Sequence, residues 1–220
     1  GLVTINDVTR NLATLLVTGP KAPAILADMT GQSMTHEDFA WLSHRKIDLA
    51  GCQANVIRVS FAGEAGFEIH CQMDDVVAVY DAVMAAGAMH QIRPFGMLAL
   101  DSMRLEKGYR SWKSDLTSDY TMFESGLGRW VNFNKDDFVG RAALQAEKQA
   151  GTQREFVTLI LDDPDDGAPF GEAVYLSNVS IDGADAGLVV SAGYGHRVGA
   201  SIAMAVVDRQ ALAKAKDISV

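Results

Sequence analysis

Two carboxylates, Glu64 and Glu68, stand in the glycine-framed phrase FAGEAGFEIHC, Phe61 to Cys71, with His70 just beyond them. Read as a turn followed by a strand, the phrase turns Phe67, Ile69 and Cys71 to one face and Glu68 and His70 to the other. Two readings follow. In the first, Glu68 and His70 face water and Gly63 and Gly66 serve the turn, because charged side chains are rarely buried unless paired. In the second, Glu68 faces a cleft. A carboxylate there can accept two parallel N–H bonds from a planar ring amidine, the fork geometry that makes Arg–carboxylate pairs specific.

The other polar groups point less clearly to chemistry. In PFGMLALDSMRLEKGYRSW, Leu98, Asp101/Ser102 and Leu105 fall roughly in line on an amphipathic helix, and Asp101 and Arg104 are spaced to pair. Trp112 just beyond reads as a core residue by its type. Glu124, Arg129, Lys135, Asp136, Asp137 and Arg141 make no Ser/His/Asp or Cys/His arrangement. Gly126 and Gly128 do not build a phosphate loop, since neither GxxxxGK[ST] nor GxGxxG after a strand is present. His196, alone in the glycine-rich SAGYGHRVG, reads as a turn residue. Cys52 and Cys71 fit no metal spacing and no disulfide framework, so they read as free thiols of a reducing compartment and no metal site is expected.

The elements that must position these groups are legible in outline. Leu12 to Val17 is a short strand ended by Gly19-Pro20, and Pro20 suits the start of a helix through Leu26. Runs at 44–49, 53–61 and 67–72, parted by Ala50-Gly51 and Gly63–Gly66, predict a three-stranded antiparallel meander. A helix follows with Asp74 as its N-cap and Gly87 as its stop, then another from about Phe95 to Lys107 halted by Gly108. This order predicts an α+β fold: an antiparallel sheet of ferredoxin-like character with helices on one face. After the helical AALQAEKQAG the pattern changes to short β runs: EFVTLIL, EAVYLS, AGLVVSAG and SIAMAVV, with the acidic turn-former stretch DDPDDGAP between the first two. Two parts are therefore expected, an α+β subdomain over 1–151 and a small β-barrel-like subdomain over 152–220. The closing DISV reads as a strand without a partner, and both ends of the chain look cut.

Composition narrows the partners. The 220 residues are 48% hydrophobic and 21% charged, the balance of a globular protein, and no apolar run approaches the ~20 residues of a membrane helix. A net charge of −9 argues against nucleic acid, whose phosphates need a basic surface. No signal peptide is visible, and the compartment expected is the cytoplasm.

Taken in order, GPKA, GEAGFEIH, ALDSMRLEKGYRSW, ESGLGRWV, FVGRAAL and SAGYGHRVGASIAMAVV resemble the glycine-cleavage T-protein (aminomethyltransferase) family. RLEKGYRSW with SAGYGH looks most like the folate-binding C-terminal part of sarcosine and dimethylglycine dehydrogenases, apparently truncated here. The resemblance implies that Glu68 binds the pterin ring of tetrahydrofolate, while Glu64 keeps a turn role. Phe61 stands where the family often places a Tyr lining the folate site, and Trp112 is assigned to that site with it. Stand-alone T-proteins carry an Arg where this chain has Leu100, which favours the dehydrogenase-linked branch. The position matching the family's catalytic Asp falls upstream of this chain. Asp7 lies too close to GPKA to be that residue, so no catalytic residue is assigned and the isolated chain is expected to be inactive.

The implied activity is one-carbon transfer. An iminium derived from an N-methyl amine, formed at a flavin domain of the same parent protein, delivers its carbon to tetrahydrofolate. FAD would belong to that separate domain. The partners implied are thus a reduced folate, the iminium substrate and the flavin domain, with neither nucleic acid nor membrane. Two other functions fit the same phrases: a stand-alone aminomethyltransferase or folate-dependent demethylase, and a non-catalytic folate-binding or scaffold relative.

Overall fold

Alternation of apolar and polar residues builds the first sheet. In the computed structural model, which describes residues 2–162 and 177–220, β1 spans Leu12–Thr18, β2 His44–Leu49, β3 Cys52–Ile57 and β4 Gly66–Gln72. Their order is β1-β4-β3-β2, and every neighbouring pair is antiparallel. The β2–β3 hairpin turns on Ala50 and Gly51, both at positive φ (56° and 82°), as a two-residue turn between right-twisted strands requires. Asp48 Oδ1 accepts the Gly51 N–H at 2.8 Å and helps hold Ala50 in that unfavourable region.

Helices cover one face of this sheet. α1 spans Ala22–Thr30 and α2 Val76–Gly87. Leu26 of α1 and Val79 and Val83 of α2 pack with Val17, Ile47, Leu49, Val56, Phe67, Ile69 and Cys71 in one core cluster. The Cys71 thiol is pushed up from its ordinary pKa, first by burial and then by the charge of Asp75.

Two expected helix signals work differently from their sequence reading. Asp74 is not the N-cap: Met73–Asp75 forms a 3-10 turn, and Asp75 precedes α2 without a side-chain cap. Gly87 is the last residue of α2 at a helical φ of −73°, and it is there for space, since a Cβ would sit 2.5 Å from Ile92. Gly108 does act as the stop. α3 spans Met97–Glu106, and Gly108, at φ +71°, donates to Leu105 O while Tyr109 donates to Arg104 O, a Schellman motif.

Backbone packing gathers the chain into two compact units, Gly1–Leu100 and Asp101–Val220, with the division inside α3. The second unit holds α4 (Arg141–Ala150), β5 (Arg154–Leu161), β6 (Asn178–Ile181), β7 (Ala184–Gly195), β8 (Ala200–Asp208), α5 (Arg209–Leu212) and β9 (Ile218–Ser219). Its antiparallel sheet runs β5-β8-β7-β6-β9 and curls through irregularities at Val179/Ser180 and Val189/Ser191. β8 is buried on both faces from Ile202 to Val207, which is why IAMAVV is continuously apolar. The closing strand does have a partner: β9 pairs with β6, Ser219 opposite Ser180. β6 itself was not foreseen. EAVYLS and DDPDDGAP lie almost wholly outside the described residues.

A buried ionic knot anchors α3 to this second sheet. Arg104 Nε reaches Asp101 Oδ1 at 2.6 Å, as the helical spacing predicted. Its larger commitments are long-range: Nη1 to Asp115 Oδ2 at 2.6 Å and Nη2 to Ser191 Oγ at 2.9 Å. Ser191 in turn donates to Asp115 Oδ1, and the Ser111 N–H to Oδ2. Arg104 is 3% exposed and Asp115 0%. Removing one partner of such a pair strands the other charge in the interior, a loss of about 3–5 kcal/mol. Asp115→Ala is therefore expected to lower chain stability by that amount in urea titration. Asp101→Ala, at a half-exposed partner, should cost under about 1 kcal/mol. Equal losses at the two positions would refute this assignment.

Candidate functional site

Glu68 sits at the centre of the sheet face that the helices do not cover. Strand register supplies its neighbours: Leu16 lies opposite it on β1 and Ile57 opposite it on β3. Directly opposed residues bring their Cβ atoms to about 4.5–5.5 Å, so two half-buried aliphatic side chains flank the carboxylate. One step along β4, His70 lies between Thr14 and Asn55. In the other direction Gly66 lies opposite Thr18, and Ser60 packs closely over it. The result is a carboxylate between two aliphatic side chains, with an imidazole at one end and the small side chains of Thr18 and Ser60 at the other.

The alternation read from the sequence holds residue by residue. Phe67, Ile69 and Cys71 are buried in the core, while Glu68 and His70 remain 38% and 29% exposed at their side chains. His70 Nε2 lies 3.3 Å from Glu68 Oε2, and its Nδ1 lies 3.0 Å from Thr14 Oγ1.

The loop ahead of β4 is tied back to β1. Thr18 Oγ1 lies 3.0 Å from Ser60 Oγ and donates to Ala65 O at 3.1 Å, and the Gly19 N–H donates to the same carbonyl at 2.8 Å. Gly63, at φ +76°, is a turn glycine as expected. Gly66 is not: it opens β4, where a Cβ would stand 2.5 Å from Ser60 Cβ. Phe61 and Glu64 both belong to this loop, and both are half-buried.

Trp112 lies in the second unit, after α3, where it bridges Leu116. It is 75% exposed, so the expectation of a core tryptophan fails. The chain just beyond it turns through Lys113 at φ +73° under the Arg104–Asp115 knot, leaving the indole outside. Leu100 is half-buried on α3. Asp7 closes its own exposed turn, accepting from the N–H and hydroxyl of Thr9, and those bonds hold its carboxyl below the ordinary range.

The charged residues of 124–141 do not assemble into one centre. Arg141 clamps the backbone carbonyls of Phe133, Lys135 and Asp136, and Arg129 lies over the Trp130 ring. Glu124 is buried and accepts a two-pronged bond from Arg154, Nε to Oε1 and Nη2 to Oε2, both at 3.0 Å. His196 is exposed in its turn, its ring edge-on to Tyr194 at 5.2 Å. Among the described residues, no three His, Cys, Asp or Glu side chains are grouped to hold a metal ion. No described helix is long and apolar enough to cross a membrane.

The order of elements, a helix-backed four-stranded sheet and then a curled five-stranded one, defines an aminomethyltransferase-type fold. It matches the crystal structure of glycine cleavage system aminomethyltransferase T from Bartonella henselae with a TM-score of 0.74 and 25% identity, over 90% of this chain and 52% of that one. The GCVT N-terminal domain model matches residues 1–135, and the glycine cleavage T-protein C-terminal barrel domain model matches residues 154–220. The chain belongs to the glycine cleavage T-protein family.

Among its relatives, human mitochondrial dimethylglycine dehydrogenase is 32% identical over 94% of this chain and 24% of that protein. Human mitochondrial sarcosine dehydrogenase is 36% identical over 71% of this chain and 17% of that protein. The aminomethyltransferase of Saccharopolyspora erythraea is 36% identical over 92% of this chain and 54% of that protein. The chain thus spans a quarter or less of these dehydrogenases and about half of this aminomethyltransferase.

Two predictions follow from this geometry. Gly66→Ala should push the loop bearing Ser60 and Phe61 off β1, seen as lost amide protection at Gly19 in hydrogen exchange. Unchanged protection would show that the loop tolerates the methyl group. The second concerns Glu124, whose carboxyl the bonds from Arg154 hold below the ordinary range, with burial opposing. A folded pKa below the unfolded one gives stability that is complete above the unfolded value and lost as pH falls through the folded value. Glu124→Gln should therefore cost about 1–2 kcal/mol at neutral pH, at the modest end because Arg154 is partly solvated. The gap to the parent chain should narrow as pH falls below the ordinary glutamate value of about 4.3 in urea titrations across pH. A gap constant with pH would exclude a charge effect.

Proposed function

We propose that this chain is a tetrahydrofolate-binding one-carbon-transfer module, with Glu68 as the anchor of the pterin ring. The observation that carries the reading is the setting of Glu68 in a T-protein-family chain. An acceptor-only carboxylate lies on the open face of the sheet, flanked across the strands by Leu16 and Ile57. A pterin edge offers a ring N–H beside an exocyclic amine, two parallel donors for one carboxylate. The flanking aliphatic side chains suit the faces of a flat ring, and the residues present fit the group. Tetrahydrofolate, when bound, supplies the nitrogen chemistry that takes up the carbon. The protein's own part is to bind, orient and shield.

Phe61 and Trp112 are further folate-site residues in this reading. The Trp112 indole is 75% exposed. The parent activity we favour is that of a flavin-linked sarcosine or dimethylglycine dehydrogenase-like protein. In it, a flavin domain would supply an iminium from an N-methyl amine, and FAD would reside there. Leu100 in place of the stand-alone enzymes' Arg, and the 94% of this chain matched by dimethylglycine dehydrogenase, support that branch. A stand-alone aminomethyltransferase is the second reading, supported by 36% identity to the Saccharopolyspora erythraea enzyme. We place the start of the barrel-like C-terminal part near residue 152, which the family-model match beginning at 154 supports. The two free thiols support a reducing compartment such as the cytoplasm.

Titration calorimetry of folinate, a stable reduced folate, tests the reading. Glu68→Ala should weaken binding by about 2–3 kcal/mol, the worth of a lost charge-assisted fork. Undiminished folinate binding by Glu68→Ala would sink the assignment.

A further inference from the structure

A pterin anchor must offer both oxygens in one plane, yet a glutamate carboxylate turns freely about its last torsion. The open sheet face contains a device that removes this freedom. His70 follows Glu68 on the same face of β4, and its imidazole spans the gap to bring Nε2 within 3.3 Å of Oε2. Its other nitrogen is engaged as well: Thr14, directly across on β1, places Oγ1 at 3.0 Å from Nδ1. A carboxylate can only accept hydrogen bonds. In the neutral ring, Nε2 must therefore carry the proton, Nδ1 must be the acceptor, and the Thr14 hydroxyl must donate. The chain Thr14 O–H to His70 to Glu68 has a single direction.

We propose that His70, held by Thr14, is a positioning residue that fixes the plane of the Glu68 carboxylate for two-pronged recognition of a planar ring bearing adjacent N–H donors. The proposal rests on the reading of Glu68 given above. One bond from His70 uses one lone pair of Oε2. The second lone pair of Oε2 and both of Oε1 remain, so the anchor can take two ligand donors without breaking its support. Both ring nitrogens of His70 are occupied, which leaves the imidazole no donor to offer the ligand. It acts only through Glu68, between the walls formed by Leu16 and Ile57. His70 is partly exposed and Thr14 exposed, so substitutions there leave the core intact.

Substitutions at His70 and Glu68, single and combined, separate this role from a structural one, measured by folinate calorimetry and thermal unfolding. Gln keeps a donor near the place of Nε2 and Asn keeps a group near Nδ1. His70→Ala and His70→Asn should each weaken folinate binding roughly tenfold, and His70→Gln should stay within about threefold of the parent. In a Glu68→Ala background, His70→Ala should add no further loss. If all three His70 variants weaken binding equally, shape rather than the donor matters and the proposal fails. If Glu68→Ala weakens binding and no His70 variant does, the proposal fails while the pterin anchor stands. If Glu68→Ala has no effect, the anchor reading itself falls. A readout free of folate is the nitrogen NMR of the imidazole in the 220-residue chain. The Nε2–H tautomer should be more completely populated in the parent chain than in Glu68→Ala or Thr14→Val, and equal populations in all three would overturn the proposal. A predominant Nδ1–H form in the parent chain overturns the proposal whether or not folinate binds.

Discussion

The pleat of β4 is the constraint on which the rest of the first unit depends. A strand sends alternate side chains to opposite faces, and a shift of one residue exchanges the faces completely. Phe67, Ile69 and Cys71 are locked among the residues under α1 and α2, so Glu68 and His70 have only one direction left. Core packing thereby aims the carboxylate. The same register places Leu16, Ile57 and Thr14 around it, although none of the three is near Glu68 in sequence. Fold and site are two faces of a single seven-residue strand.

The second unit is organised by charge as well as by apolar packing. Arg104 and Asp115 are both removed from water, a costly arrangement that only a full set of hydrogen bonds makes tolerable. Asp115 accepts from Arg104, Ser111 and Ser191, so α3, the irregular segment after it and β7 meet at one carboxylate. The geometry demanded there is specific in direction and distance, which apolar contact alone is not. The chain carrying Trp112 runs past this point, and the knot fixes where its indole emerges.

Local patterns were readable where the physics is local. The strands of the first sheet, the Ala50-Gly51 hairpin and the Gly108 stop follow from alternation and turn chemistry within a few residues. The outward aim of Glu68 was also legible, because the neighbouring core residues declare the pleat. What failed depended on distant partners or on space. Gly66 and Gly87 look like turn glycines in sequence, but their role is close approach to Ser60 and Ile92, which no local signal reveals. β6 is too short to announce itself and is held between β7 and β9, so the closing strand DISV was legible while its partner was not. Arg104 displayed its helical partner Asp101, whereas Asp115 and Ser191 required the fold. Trp112 was misjudged because residue type says little about burial beside a positive-φ turn.

Cys71 adds a practical consequence. Its thiol lies on β4 next to His70 in sequence but on the opposite face, buried and with its ionisation suppressed by burial and Asp75. An alkylating reagent reaches such a sulfur only when β4 lifts from the helices. The protein thus carries an intrinsic clock for the opening of the strand that holds Glu68. The rate at which Cys71 is modified reports the integrity of that strand without any label on its open side.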